Sequence, residues 1–220
     1  MRGRAVSAGR QAGGALLLVM SLLAALSMLV LSSSQLIISA QRLVDNVQDR
    51  RRARILAQQA LLGAEEWVWR LDRRLDMASR AAKPADLYGE GSLFSPSCRG
   101  PQGKGLCEPQ EPPERRRSGE VPLLHPCGNS REFALEPAPA QSWCPQQVRS
   151  GALSWANPRY VVELIDPGFR APDGSPGRLY RITVRAWGRN AYSAVTLQSW
   201  YRVGEGSAEG RRLNWGESKE

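Results

Sequence analysis

The feature that most constrains this chain is a stretch near its start that carries no charge. Between Arg10 and Arg42 no side chain is charged, and residues 15–31 are an almost unbroken run of Ala, Leu, Val and Met. A helix needs about 20 such residues to cross roughly 30 Å of hydrocarbon. Residues 14–40 are therefore predicted to form one transmembrane helix, with the lipid bilayer as a partner.

Charges and cysteines together predict how the chain lies across the membrane. Arg2, Arg4 and Arg10 precede the apolar run with no acid among them. Long domains translocate largely regardless of charge, so the basic residues after the run do not decide the orientation. The four cysteines are even in number and all downstream, as expected for bridges formed in an oxidising compartment. We expect a cytoplasmic N-terminus and an exported C-terminal portion.

The cysteines lie in one segment, 82–158, that also holds 12 of the 15 prolines. Such a segment is predicted to be loops that disulfides hold in place. Four cysteines allow three connectivities. The sequential one is preferred because its partners are closest along the chain: Cys98 with Cys107, and Cys127 with Cys144. A zinc site is not predicted, since the spacings lack the close pairs that such sites use.

The segment that follows the apolar run, 41–81, is predicted to continue the helix as an amphipathic stalk. It has no proline and is rich in Ala, Leu, Gln, Arg and Glu, which favour helices. Its opposite side is polar, and Glu65 there is interpreted as a solvated carboxylate. Apolar residues at steps of three and four form one stripe: Leu56, Ala60, Ala64, Trp67, Leu71, Leu75 and Ala78.

Residues 159–203 are predicted to form a small antiparallel sheet. Alternating apolar and polar residues at 160–165, 179–187 and 194–203 indicate strands with one buried face. That face is expected to cover the helix stripe, which gives an α+β, pilin-like fold with a disulfide-stapled loop region. The polar, Gly-rich tail, 204–220, is predicted to be flexible.

The sequence carries no recognisable catalytic pattern. His125 is the only histidine, and a nucleophile needs a base within hydrogen-bond reach. No phosphate loop, helical His pair or Gly-Xaa-Ser-Xaa-Gly elbow is present. The net charge of +9 is dispersed and lacks a basic stripe interleaved with aromatic residues. We predict a protein that is not an enzyme, with no cofactor, no metal and no nucleic-acid partner.

The start of the chain resembles the prepilin leader of type IV pilus proteins and type II secretion pseudopilins. The residues that carry the resemblance are Arg-Gln-Ala-Gly at 10–13, which run directly into the apolar helix. The resemblance implies a leader, 1–13, and a prepilin peptidase as a partner that cuts between Gly13 and Gly14. An ordinary secretory signal fits worse, because the apolar run is long.

The second half of the chain is similar to the PilX-type minor pilins of type IV pili. The similar segments are 158–163, 180–188 and 194–199 in the strands, 98–107 in the loops and 57–66 in the stalk. The resemblance implies a non-catalytic assembly protein whose partners are other minor pilins and pilus subunits. It implies a single-pass inner-membrane protein with a periplasmic domain, which then enters the pilus at or near its tip.

One position departs from the pattern of the major pilins. They carry a glutamate at the fifth mature residue, where this chain has Leu18. A carboxylate in hydrocarbon is unfavourable unless it has a cationic partner, which a neighbouring subunit's free amine supplies in pili. The resemblance with this departure implies a rare subunit that primes or caps the fibre. The alternatives are a tip pseudopilin of type II secretion and a membrane-anchored surface adhesin or binding module.

Overall fold

The structure is a computed structural model that describes residues 14–78, 84–110, 112–134, 154–204 and 210–218. By its internal contacts the chain divides into two compact units, Met1–Val47 and Gln48–Glu220. The described residues combine a long helix with a mixed, mainly antiparallel sheet. The predicted α+β class is therefore confirmed.

The long helix, α1, extends over Gly14–Ala78. In the first unit its large apolar side chains between Leu16 and Val30 are exposed. Within the described residues, no helix combines the length and the hydropathy needed to span a membrane. The transmembrane helix at 14–40 stays a prediction.

In the second unit, α1 buries one apolar stripe, as its periodicity predicts. Gly63 lies beside this stripe, and a Cβ there would collide with the ring of Phe133. A glycine at this position lets Phe133 pack directly on the helix backbone. The buried residues of the stripe are Ala53, Leu56, Ala57, Ala60, Leu61, Ala64, Val68 and Leu71.

After α1 come a short 3-10 helix, Pro84–Leu87, and ten strands in the described residues. Six strands have only two residues: β1 Arg99–Gly100, β2 Gly103–Lys104, β3 Leu106–Cys107, β4 Arg117–Ser118, β5 Val121–Pro122 and β6 Arg131–Glu132. The four longer strands are β7 Arg159–Asp166, β8 Gly177–Trp187, β9 Ala194–Gly204 and β10 Gly210–Glu217.

The main sheet has the strand order β10-β9-β8-β7-β3, and β6 also pairs with β7. Neighbours are antiparallel except β3, which is parallel to β7. One face of the sheet packs on the stripe of α1, and we call it the inner face. Tyr180, Ile182 and Val184 of β8 lie there, fully buried, together with Leu197 of β9. The three strands predicted from alternation are the centre of this sheet.

The prediction of a flexible tail is wrong for Gly210–Glu217. These residues form β10, which pairs with β9 along its length. Glu217 also makes ion pairs with Arg50 and Arg54 of α1. The contacts that order β10 come from residues far away along the chain, so its polar, Gly-rich composition gave no sign of them.

Candidate interaction surface

The inner face holds a buried ion pair between α1 and β10. Glu65 is 6% exposed and accepts two hydrogen bonds from the Arg212 guanidinium, each 2.7 Å long. The hydroxyl of Ser199 donates a third, at 2.6 Å. A buried carboxylate is unfavourable unless opposite charge and hydrogen bonds compensate, as they do here. The interpretation of Glu65 as a solvated carboxylate is therefore wrong.

A second buried carboxylate lies two helical turns further along α1. Asp72 accepts a hydrogen bond of 3.0 Å from Arg178 and another from the phenol of Tyr180. Because Asp72 follows Glu65 by seven residues, both carboxylates lie on the same side of α1. Two strands are thus tied to the helix through buried charges, in addition to the apolar stripe.

A third carboxylate of α1 holds the turn between β8 and β9. Asp49 is buried and accepts hydrogen bonds from the backbone N–H of Arg189 at 2.6 Å and from the Asn190 amide at 2.9 Å. A Cβ on Gly188 would collide with the Asp49 carboxylate, so the turn needs glycine there. The same turn presents Tyr192, which is 99% exposed.

The opposite, outer face of the sheet is covered over β7 by a second small core. This core consists of Cys98, Cys107, Leu123, Leu124 and Val161. A disulfide joins Cys98 to Cys107, the pairing preferred from the sequence. Strands of two residues contribute few ladder hydrogen bonds. The disulfide, which restricts the unfolded chain, therefore contributes much of the stability of this layer. β7 is one of the strands predicted to have one buried face, and both of its faces are covered.

One buried carboxylate ties the outer layer to the sheet. Glu163 of β7 is fully buried and binds the Arg181 guanidinium through two hydrogen bonds, of 2.6 and 2.9 Å. Arg116 belongs to the outer layer, and its Nη1 atom lies 3.7 Å from Oε1 of the same carboxylate. The hydrogen bonds to Glu163 raise the pKa of Arg181, while its burial acts in the opposite direction. Arg181 therefore stays charged at the edge of this layer.

Beside the outer layer, the outer face of β8 and β9 opens into a cleft of about 840 Å³. Pockets that hold small ligands span roughly 300–1,000 Å³. Gln198 lies on the cleft and donates its amide to the hydroxyl of Thr183. The charged and amide side chains that line it are Glu114, Arg115, Arg181, Arg185 and Gln198.

Aromatic rings form one end of this cleft. Trp155 meets His125 and Trp187 edge to face, with ring centroids 5.9 and 5.4 Å apart. The Nδ1 atom of His125 accepts a hydrogen bond from the backbone N–H of Cys127, which requires an unprotonated nitrogen. Burial lowers the pKa of His125, and the charge of Arg185 lowers it further. His125 is therefore neutral near pH 7 and packs as part of a ring cluster.

The predicted processing residues fall at the start of α1. Gly14 is its first residue and Leu18 lies in its first turns with an exposed side chain. Gly13 lies outside the described residues, so cleavage between Gly13 and Gly14 stays a prediction. Cys127 is disulfide-bonded. Its predicted partner, Cys144, lies outside the described residues as well, and that pairing also stays a prediction.

Only some of the residues that line the cleft are predictable from the sequence. Alternation along β8 places Arg181, Arg185 and Trp187 on one face, opposite the core residues, and that face was expected to meet solvent. Arg115 and Trp155 come from loops and had no local signal. In the part of the chain that the structure describes, no three His, Cys, Asp or Glu side chains come together to hold a metal ion.

Comparison with known protein families gives a match for part of the chain. Residues 105–203 match the family described as "PilX: Type IV pilus assembly protein PilX C-term". The matched region begins just before β3 and ends in β9, so it contains the core strands of the sheet and part of the outer layer. It covers a little under half of the chain. Neither the curated proteins nor the solved structures gave a match.

The match shows that residues 105–203 are similar to the C-terminal part of type IV pilus assembly proteins of the PilX type. The resemblance noted in the strands is therefore confirmed. The matched residues contribute to both the inner core and the outer layer, so the similarity applies to the sheet and its outer layer.

Proposed function

We propose that this protein is a minor pilin that primes or caps a type IV pilus through contacts and not through catalysis. The observation that carries the proposal is the PilX match over the same sheet that is fixed to a long helix. A domain that must act on a fibre needs a rigid connection to the element that enters the fibre.

Buried ion pairs supply that connection within the second unit. Glu65 and Asp72 join α1 to β10 and β8, and removing one partner of a buried pair leaves an uncompensated charge. The helix from Gln48 onward and the PilX domain are thus expected to move as one body. A force on this part of α1, from pulling or from packing, would therefore be transmitted directly to the domain.

Exposed apolar side chains offer surfaces for contact with other pilus subunits. Ile55 and Leu62 are exposed on α1, and their spacing of seven residues puts them on one side of the helix. Leu213 and Trp215 are exposed on β10, at the edge of the sheet. Interfaces are enriched in aromatic and large apolar residues, so these positions suit packing between subunits.

The proposal includes a membrane stage before assembly. The absence of charge between Arg10 and Arg42 and the exposed apolar side chains of Leu16–Val30 support a single inner-membrane helix. In this proposal the N-terminus is cytoplasmic and the PilX domain is periplasmic. The prepilin peptidase removes residues 1–13, and other minor pilins and pilus subunits are the partners.

A deletion in the native host tests the function. Cells without the protein are expected to lose most surface pili and twitching, and the wild-type chain restores both. Mass spectrometry of the recovered protein is expected to show a mature N-terminus at Gly14. A protein that retains residues 1–13, in cells whose pili are unchanged by the deletion, would contradict the proposal and favour a membrane-anchored adhesin.

A pair of adjacent substitutions tests the part of Leu18. Leu18→Glu restores the carboxylate of the major pilins and is expected to increase the amount of this protein along pilus shafts. Leu17→Glu adds the same charge one residue earlier and serves as the matched control. Equal incorporation of both variants and the wild type would contradict a selective role for Leu18.

A further inference from the structure

One end of the second unit carries a belt of arginines. The belt consists of Arg50, Arg51, Arg52 and Arg54 on α1 and Arg189 in the turn between β8 and β9. Asp49 accepts a hydrogen bond from the backbone N–H of Arg189, so the turn lies beside the start of the belt on α1. Successive helix residues point about 100° apart, so the arginines of α1 are spread round the helix within little more than one turn.

The charges of the belt are only partly compensated. Arg50 and Arg54 both make ion pairs with Glu217. Three further guanidinium groups have no hydrogen bond or ion pair to any residue that the structure describes, and they belong to Arg51, Arg52 and Arg189. Arg51 and Arg189 are exposed. This end of the unit therefore presents free positive charge to whatever lies against it.

The same end presents an aromatic side chain on a fixed turn. Tyr192 is 99% exposed, and its backbone N–H donates a hydrogen bond of 2.9 Å to the side chain of Asn190. Asn190 donates its own amide to the buried Asp49, also at 2.9 Å. The turn thus holds Tyr192 out in solvent. Tyrosine is enriched at membrane–water interfaces, because it combines an apolar ring with a polar hydroxyl.

The distribution of these charges suits a flat anionic surface. A partner that binds one side of α1 would leave most of the belt unused, whereas a plane of phosphates across the helix would meet arginines on every side. The chain enters the second unit at Gln48, so the belt lies at the end nearest to the apolar segment along the chain. Guanidinium groups bind phosphate oxygens with parallel hydrogen bonds, and basic residues close to a membrane are attracted to its anionic headgroups.

We propose that this end of the domain binds the anionic phospholipid headgroups of the membrane surface. The free guanidinium groups of Arg51, Arg52 and Arg189 contact lipid phosphates, and Tyr192 lies among the headgroups. The inference rests on the membrane stage proposed above and adds to it a second lipid contact, which depends on lipid charge. Such a contact would hold the domain against the membrane until the protein enters the fibre.

The test uses full-length protein in vesicles of phosphatidylcholine alone or of an equimolar mixture with phosphatidylglycerol. A photo-reactive phenylalanine derivative replaces Tyr192, and flotation recovers the protein that is held by the vesicles. Mass spectrometry after illumination then measures the fraction of this protein that carries a lipid adduct. The mixed vesicles are expected to give at least about threefold more adduct, because only their surface attracts the arginines. High salt screens that attraction and should remove the difference.

Two triple variants with the same loss of charge locate the contact. The first combines Arg51→Gln, Arg52→Gln and Arg189→Gln, and its adduct in mixed vesicles is expected to fall to the level in phosphatidylcholine. The control combines three exposed arginines from the opposite end of the second unit, Arg74→Gln, Arg170→Gln and Arg211→Gln, and should leave the adduct unchanged. Circular dichroism melts check the fold of each variant, and the salt series on the protein with its native arginines keeps the test valid if one is unfolded.

The outcomes separate this inference from the proposed function. Equal adduct in the two kinds of vesicle, with the protein floating in both, would overturn the headgroup contact and leave the membrane helix unaffected. An equal loss in both triple variants would mean unspecific charge attraction. Adducts with a second copy of the chain in place of lipid would assign this end to protein contacts. Protein that floats with neither kind of vesicle would contradict the membrane stage itself.

Discussion

The two faces of the sheet are held in different ways. The inner face packs on α1 through an apolar stripe and two buried ion pairs, Glu65 with Arg212 and Asp72 with Arg178. The outer face is covered in part by short strands, a five-residue core and the disulfide between Cys98 and Cys107. Beyond this layer the outer face opens into the arginine-lined cleft.

The inner face thus stabilises the domain, whereas the outer face is available for contact with partners. Long strands and a helix provide enough apolar area to be stable without a cross-link. Loops built on two-residue strands bury less and need a covalent bond to stay ordered. We therefore expect substitutions on the inner face to reduce stability most, and changes on the outer face to have smaller or more local effects.

The largest effect is expected from one of two adjacent leucines on α1. Leu61 is 1% exposed and Leu62 is 59% exposed. Leu61→Ala leaves a cavity in the inner core and is expected to cost about 3 kcal/mol, or a fall of roughly 6–12 °C in Tm. Leu62→Ala is the matched control and should change Tm by less than about 2 °C. Circular dichroism melts of the full-length protein in detergent measure both.

Removing the disulfide is expected to have the next largest effect. The Cys98→Ala, Cys107→Ala double variant frees a short loop, for which the chain-entropy estimate is about 2.7 kcal/mol. The effect should be concentrated in the outer layer, so limited proteolysis is expected to cut near residues 112–122 while β7–β9 stay protected. Equal loss of protection in β8 and in the loop layer would show that the two faces are not held separately.

Two adjacent glutamates on α1, Glu65 and Glu66, provide the third comparison. Glu65 is buried against Arg212, and the next residue, Glu66, is exposed with Arg70 as an i,i+4 partner. Glu65→Ala leaves Arg212 without its partner and is expected to cost about 2 kcal/mol, less than for a fully buried pair because Arg212 reaches solvent. Glu66→Ala should cost less than about 0.5 kcal/mol. Similar melting temperatures for the two variants would contradict the buried ion pair.

The smallest effect is expected in the pH dependence of Tm, through His125 at the outer face. The folded protein lowers the pKa of His125, so the unfolded chain binds the proton more readily. Neutral His125 stabilises the folded protein above about pH 6.5, the pKa of histidine in the unfolded chain. This contribution is lost as the pH falls through the lower pKa that His125 has in the folded protein. In the His125→Gln variant, Tm should therefore fall less than in the wild type between pH 7 and pH 5. Parallel pH profiles of the two proteins would count against this role.

Regular elements were predictable because their signals are local. The helix stripe repeats at steps of three and four, and β8 and β9 alternate, so their buried residues follow from the period alone. The buried state of Glu65 was not predictable in this way. Its partner Arg212 is 147 residues away, in a segment whose composition suggested a flexible tail.

The cleft was predictable only in part for the same reason. Alternation along β8 places Arg181 and Arg185 on one face, but the loops that bring Arg115 and Trp155 beside them have no periodic pattern. The assembly of such a site depends on which short strands pair, and two-residue strands carry almost no sequence signal. The leader and its cleavage between Gly13 and Gly14 remain predictions from resemblance.

The central claim is that this protein works in pilus assembly through contacts of its exposed surfaces. Photo-crosslinking in cells that assemble pili tests it most directly, with a photo-reactive phenylalanine derivative at position 62 of α1 or at position 192 in the β8–β9 turn. The account predicts covalent products that contain another pilus subunit from at least one of these positions. Protein that is present in such cells and forms no product with any pilus subunit from either position would contradict it.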